Sequence, residues 1–465
     1  MSFRVNLSGA SILVILLVTS AKVSSRSHFP TSSNFGVEEP LHLTPLLEAG
    51  QAASARDAAK VTHRDFNFES YAGYFTVNKS FDSNLFFWHI AAEENPKSAP
   101  VILYLQGSLG VSSMLSLFTE NGPIYIDEDD ASVNIRRLSW HKTYHVIYID
   151  SPVGSGFSYT NSEEGYSTND DQVAANLREA LIQFFQLNPQ LRDNDFFLAG
   201  SNYAGKFIPA LGHAIHLYNA NAKSSSAINL KGIFIFNGYV DPVNQLVYSK
   251  PLLDEQLIEV ECKSDFLEME KDVRAFINAN KHLQAYKATE AFQAKHSCSW
   301  GDDLLLNFPF NVLVSNGLSD NENLFKFLQR RDIQHSLHVG NRAFTAVSKP
   351  VRNHLEADIT RSQAQTLATL LNYYRVLIVS SYGDTYCLPE NIENYLSKLT
   401  WSRASEYKNS PIQESENYIE GKERLKRGGN LAYLWIEESD HWITDQNSDK
   451  VLIVLKKWTK DSFKK

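Results

Sequence analysis

An α/β fold, with a mainly parallel sheet covered by helices on both faces and interrupted by a helical insertion, is what this sequence predicts. Strand-like and helix-like runs alternate along most of the chain, a charged helical interval breaks the alternation once, and a strand runs through a glycine-flanked turn directly into a helix. Asn84–Ile90, Pro100–Leu105, His145–Asp150, Phe196–Ala199, Ile233–Phe236, Arg375–Ser380 and Leu431–Glu437 are short apolar runs of strand length. Between them, Asp170–Leu187 places Val173, Leu177, Leu181 and Phe184 on one helical face. Strands alternating with helices imply parallel pairing. The interval 241–350 departs from this pattern with charged helical sequence such as Lys263–Lys295 and reads as a cap inserted over the C-terminal edge of the sheet, where α/β sites open.

At the N-terminus, Arg4, an apolar run from Ala10 to Val18 and the small residues Thr19, Ser20 and Ala21 read as a cleaved secretory signal, since the run is too short to span a bilayer. The expected organisation is a signal peptide at 1–21, a flexible leader at 22–42, the first part of the core at 43–240, the cap at 241–350 and the second part of the core at 351–465. A chain of 465 residues, 43% hydrophobic, is long enough for a large core. Its net charge of −9, with no basic stripe, argues against a nucleic-acid partner. The basic stretch Lys456–Lys465 reads as the solvated face of a last helix. Asn78-Lys79-Ser80 is an N-glycosylation triplet in an expected hairpin turn. No cofactor and no metal site is expected.

Gly200-Ser201-Asn202-Tyr203-Ala204-Gly205 follows a strand and opens a helix, the context of a hydrolase nucleophile turn, yet its central residue is Asn202. A side-chain amide has no proton that a histidine could remove near neutral pH. Other motifs occur in register: Ser70–Asn78, Leu105–Ser113, Glu120-Asn121-Gly122-Pro123 and Ser151–Tyr159. Together, from about Leu43 onward, they resemble the serine carboxypeptidase family, and within it the vitellogenic carboxypeptidase-like branch. The resemblance implies an α/β-hydrolase fold. It also implies that Asn202 stands at the nucleophile position, Ser201 at a substrate-binding Glu, Tyr386 at the orienting Asp as the third residue after Gly383, and His441 at the retained histidine. Ser201 as a relocated nucleophile and Asp384 as a relocated carboxylate are the less favoured substitutes; in a tight turn their side chains should point elsewhere. Backbone N–H groups of Ser108 and Tyr203 could still face an oxyanion, or Gly107 and Gly110 could serve only a tight turn.

In the family, a peptide's C-terminal carboxylate is held by an amide side chain and two Glu residues. Gln106 and Glu120 match, while Ser201 replaces the second Glu. Glu120 reads equally as part of that clamp or as a solvated turn carboxylate. The resulting expectation is a chain secreted or held in a secretory or lysosomal-type compartment, inactive as a peptidase, and binding peptide C-termini or another secreted protein. The alternative is an acid carboxypeptidase with a rearranged site; a bulk yolk-associated role is suggested only by the branch. Of the three cysteines, Cys262 and Cys298 fall where the family carries disulfides, and Cys387 is then a buried odd thiol. Non-reducing peptide mapping is expected to find Cys262 joined to Cys298, with a glycan on Asn78, and reduction to cost roughly 3 kcal/mol of stability. A bridge containing Cys387 would refute this pairing.

Overall fold

Ten strands share one sheet in the computed structural model, which describes residues 39–127, 129–254, 258–295, 321–381, 384, 387–415, 423–436 and 448–460. The strands are β1 (Ser70–Asn78), β2 (Ser83–Ile90), β3 (Val101–Leu105), β6 (His145–Ile149), β7 (Phe196–Ser201), β8 (Leu230–Phe236), β9 (Arg375–Ser381), β10 (Gln413–Ser415), β11 (Glu423–Gly428) and β12 (Leu431–Ile436). β4 (Ile124–Ile126) and β5 (Val133–Ile135) form a separate hairpin. The order across the large sheet is β1-β2-β6-β3-β7-β8-β9-β12-β11-β10. From β6 to β12 every neighbouring pair is parallel, and both flanks are antiparallel.

The period of two along each strand sorts side chains between two cores. In β3, Val101, Leu103 and Leu105 join one cluster while Ile102 and Tyr104 join the other. Because both faces are covered, the central strands are continuously apolar rather than alternating with polar residues. Helices Asp170–Leu187 and Ala204–Asn221 close the first face through Val173, Leu177, Leu181, Ile208 and Leu211. The helix Ser448–Thr459 closes the second through Val451, Leu455 and Trp458. Strand β10, at the sheet edge, and β11 beside it escaped the sequence reading because Gln413–Ser415 and Glu423–Gly428 are polar and lack the apolar run that marks the central strands.

Two stretches refine the expected cap. Lys263–Lys295 is two helices, Lys263–Asn278 and His282–Lys295, separated where Asn280 adopts a left-handed φ of 56°; asparagine tolerates that conformation and ends helices with it. Their apolar residues, including Phe266, Met269, Val273 and Phe292, form a cluster apart from the two sheet cores. By contrast, Leu324, Phe327, Leu328, Ile333 and Leu337 pack into the second sheet core, although they lie within 241–350.

At the end of β6, buried Asp150 binds two other chain segments. Its Oδ1 accepts hydrogen bonds from Ser112 Oγ at 2.5 Å and Ser113 N at 3.0 Å, and its Oδ2 accepts one from Phe157 N at 2.8 Å. Burial raises its pKa to about 6 against the lowering effect of these donors. A carboxyl with a raised folded pKa contributes stability that is fully present below its unfolded pKa and is lost as pH rises through the folded one. Asp150→Asn should destabilise the protein throughout, but the gap to wild type should narrow by up to about 3 kcal/mol between about pH 4 and pH 7. Urea denaturation of both proteins across that range checks this; a constant gap would mean that Asp150 does not titrate there.

Candidate active site

The chain leaves β3 toward β6 on one side and leaves β7 toward β8 on the other. Such a switch point, at the C-terminal ends of the strands, is the usual ligand position in an open α/β sheet. Asn202 sits at it, immediately after β7 and just before the helix that begins at Ala204. Its φ of 46° is the left-handed conformation of a sharp strand-to-helix turn, and the residue is buried. The turn is held by Asn202 N donating to Phe236 O at 2.9 Å, and by Gly205 N and Tyr239 N donating to Asn202 O, each at 2.9 Å. Ser201 remains in the strand, paired in register with Phe236.

The β3 loop packs directly against this turn. A Cβ on Gly107 would lie 1.8 Å from the Ser201 carbonyl oxygen and 2.8 Å from Asn202 Cβ, so only glycine fits. Gly110, with a φ of 79°, makes the following turn. The two amides that the sequence offers as oxyanion donors are engaged inside the protein. Tyr203 N donates to Gly107 O at 2.7 Å, and Ser108 N donates to Gln106 Oε1. The second bond also orients the Gln106 side chain, because an N–H donor must face its oxygen, and its Nε2 end is left as the donor.

Glu120 is not a solvated turn residue. It is 1% exposed, and its oxygens accept hydrogen bonds from Tyr104 Oη at 2.5 Å and Ser116 Oγ at 2.7 Å. Asp384 is also buried, and its Oδ1 accepts from Cys387 N at 2.9 Å. Cys387 is a free thiol whose pKa is pushed well above its usual value by burial and then by Asp384, which keeps it unreactive. Tyr386, His441 and Cys298 lie outside the described residues. Cys262 is buried in the helical cluster, and Asn78 closes β1 at the sheet edge with its Oδ1 accepting from Ser80 N at 3.0 Å. Among the described residues, no cluster of His, Cys, Asp and Glu could hold a metal ion, and no helix is long and apolar enough to cross a membrane.

Sequence reasoning passed over the group that anchors the turn's helix. Lys206 is fully buried, with Nζ 3.2 Å from Asp170 Oδ2 and 3.6 Å from Asp358 Oδ2, and it donates to the Asp358 and Arg361 carbonyls. Burial lifts the Asp170 pKa to about 6 while Lys206 draws it down. A lone lysine in the apolar run Lys206–Leu211 was the available signal, since an isolated cation in such a run must find a buried partner.

Comparison with known proteins agrees with this architecture. The family described as serine carboxypeptidase matches residues 60–461. The venom serine carboxypeptidase of Apis mellifera is 40% identical over 378 residues, covering 79% of this chain and 80% of that protein. The vitellogenic carboxypeptidase of Aedes aegypti is 36% identical over 417 residues, covering 87% and 86%. The human probable serine carboxypeptidase CPVL is 36% identical over 422 residues, again covering 87% and 86%. The crystal structure of a prohormone-processing carboxypeptidase from Saccharomyces cerevisiae superposes with a TM-score of 0.76 at 18% identity, covering 87% of this chain and 96% of that one, which confirms the α/β-hydrolase fold. With matching motifs, sheet order and relatives along most of its length, this chain belongs to the serine carboxypeptidase family.

Proposed function

We propose that this member of the family no longer hydrolyses peptides and acts as an exported binding or scaffold protein. The supporting observation is Asn202 in the left-handed nucleophile turn, with the next amide, Tyr203 N–H, bonded to Gly107 O at 2.7 Å. Acyl transfer needs a nucleophile that can lose a proton and N–H groups aimed at the developing oxyanion. Asn202 supplies neither proton nor useful lone pair, and the nearby amides already have acceptors. On the family resemblance, Tyr386 stands where the orienting carboxylate belongs, and on this reading the route through an acyl-enzyme loses two of its members. Losses of that kind remove several orders of magnitude of rate.

The purified protein is therefore expected to release no C-terminal residue from peptides at acid or neutral pH and to resist fluorophosphonate labelling. Asn202→Ser alone should leave it at background, because the orienting carboxylate is still missing. Stoichiometric labelling of wild type at Ser201 would replace this reading with that of an active acid carboxypeptidase.

A silent crevice can still bind. The Nε2 group of Gln106, oriented by Ser108 N–H, is a donor available to a carboxylate, while Glu120 is fixed by Tyr104 and Ser116. With Ser201 in place of the second Glu, the clamp should be weak and should depend on Gln106. Calorimetry is expected to show a peptide with a free C-terminal carboxylate binding roughly tenfold tighter than its amide, as one hydrogen bond to a charged group contributes. Gln106→Ala should abolish that difference. Equal binding of acid and amide by wild type would leave surface contacts as the basis of partner recognition.

A further inference from the structure

The edge of the sheet opposite the Asn202 turn carries a second cavity. In the pairing of β2 with β6, Ile90 faces Val146 near the start of β6, so Ala91 and Ala92 emerge at the N-terminal end of the parallel strands. There, Phe68, Ala91, Ala92, Pro123, Ile124 and Ile135 enclose about 500 Å³, together with polar residues at one side. This size falls within the range of roughly 300–1,000 Å³ typical of small-molecule sites. Tyr125, Ile135 and Leu138, on and just after the β4–β5 hairpin, are exposed large apolar residues, and Ile135 belongs to the cavity wall. An apolar wall of this kind beside a few convergent polar groups is the composition of an orienting pocket rather than a packing defect.

The polar side consists of Asn67, Glu69, Glu93, His141 and Lys142. Lys142 Nζ is already bonded to Glu93, and the chain is tied there by Glu93 N donating to His141 O at 2.9 Å. His141 is buried and its ring bonds Ser139 Oγ through Nδ1. Burial pulls the His141 pKa down to about 4, so it adds no positive charge near neutral pH. Glu69 uses Oε1 for Tyr71 Oη at 2.6 Å and lies 3.6 Å from Arg56 through the same oxygen. Its Oε2 is left to accept from a ligand. Glu69 and Glu93 each have a cation beside one oxygen, Arg56 at 3.6 Å and Lys142, so the lining carries no excess cation, and each keeps a second oxygen that accepts from a donor head and repels an anionic one.

From this arrangement we infer that the cavity is a binding site for a small amphipathic amine, whose ammonium group meets Glu69 and whose apolar body lies against Phe68, Ala92, Ile124 and Ile135. The site is independent of the Asn202 crevice and of whether that crevice hydrolyses anything.

Cyclohexylmethylamine, cyclohexylmethanol and cyclohexanecarboxylate share one apolar body and differ in the head group. Calorimetry on the full chain is expected to rank them in that order, with the amine at least about threefold tighter than the alcohol, the scale of a partly exposed ion pair. Glu69→Gln, at a residue whose side chain is 56% exposed and tolerant of change, should erase the preference for the amine while leaving the alcohol unaffected. Ile135→Asp, at a residue 64% exposed, should weaken the amine and the alcohol alike. Circular dichroism confirms that each variant is folded. Absence of saturable binding by wild type, tighter binding of the carboxylate, or amine binding unchanged in both variants would overturn the assignment.

Discussion

The contact between the β3 loop and the β7 turn is the constraint on which the site depends. Parallel pairing of β3 with β7 brings Leu105 opposite Gly200, so the two chains leave the sheet side by side. Gly107 then lies so close to Ser201 and Asn202 that no side chain could be added. Once that approach is made, the Gly107 carbonyl is within reach of the Tyr203 amide, and Ser108 is placed over Gln106. The local hydrogen bonds therefore follow from strand register and one missing Cβ. They tie the two loops to each other at the turn.

Buried charge holds the surrounding frame. Lys206 joins the helix after the turn to Asp170, at the start of the helix Asp170–Leu187, and to Asp358 in a distant loop. Gln363 Nε2 donates to Asp170 at 2.8 Å, and Asp170 N donates to Asp358 at 3.0 Å, so the carboxylates have partners besides the lysine. Such a cluster is weak evidence of net stabilisation, because desolvating three charges is expensive. Its effect is on geometry: leaving any member alone in the core would be costly, so these segments keep one arrangement. Asp150 does the same for the loops at 112–113 and 157–158 on the other flank of the crevice.

The chain keeps the family's fold, with Asn202 at the turn that follows β7. The turn requires a left-handed residue between a strand and a helix, and asparagine adopts that conformation more readily than most. Asn202 thus fits the turn without straining the fold. The cavity at the opposite edge depends on other parts, chiefly the β4–β5 hairpin and the end of β2, and shares none of the crevice's residues.

The central strands, the helix Asp170–Leu187, the strand-turn-helix passage at Asn202 and the buried character of Cys387 were legible in the sequence, because each is encoded locally, by an apolar run, a helical period or a turn residue. The order of the strands was not, since register arises only when distant runs pair. For the same reason the sequence could match Gln106, Ser108, Glu120 and Tyr203 to roles but could not tell that Glu120 is buried or that the two amides have internal acceptors. The strands β10 and β11 were missed because their polar sequences lack the apolar run of the central strands, and the Lys206 cluster because its carboxylates lie far apart in the chain. Local chemistry decided which residues stand at the turn. Tertiary packing decided what their atoms can still reach, because a hydrogen-bonding group already satisfied by a distant segment has little left to offer a substrate.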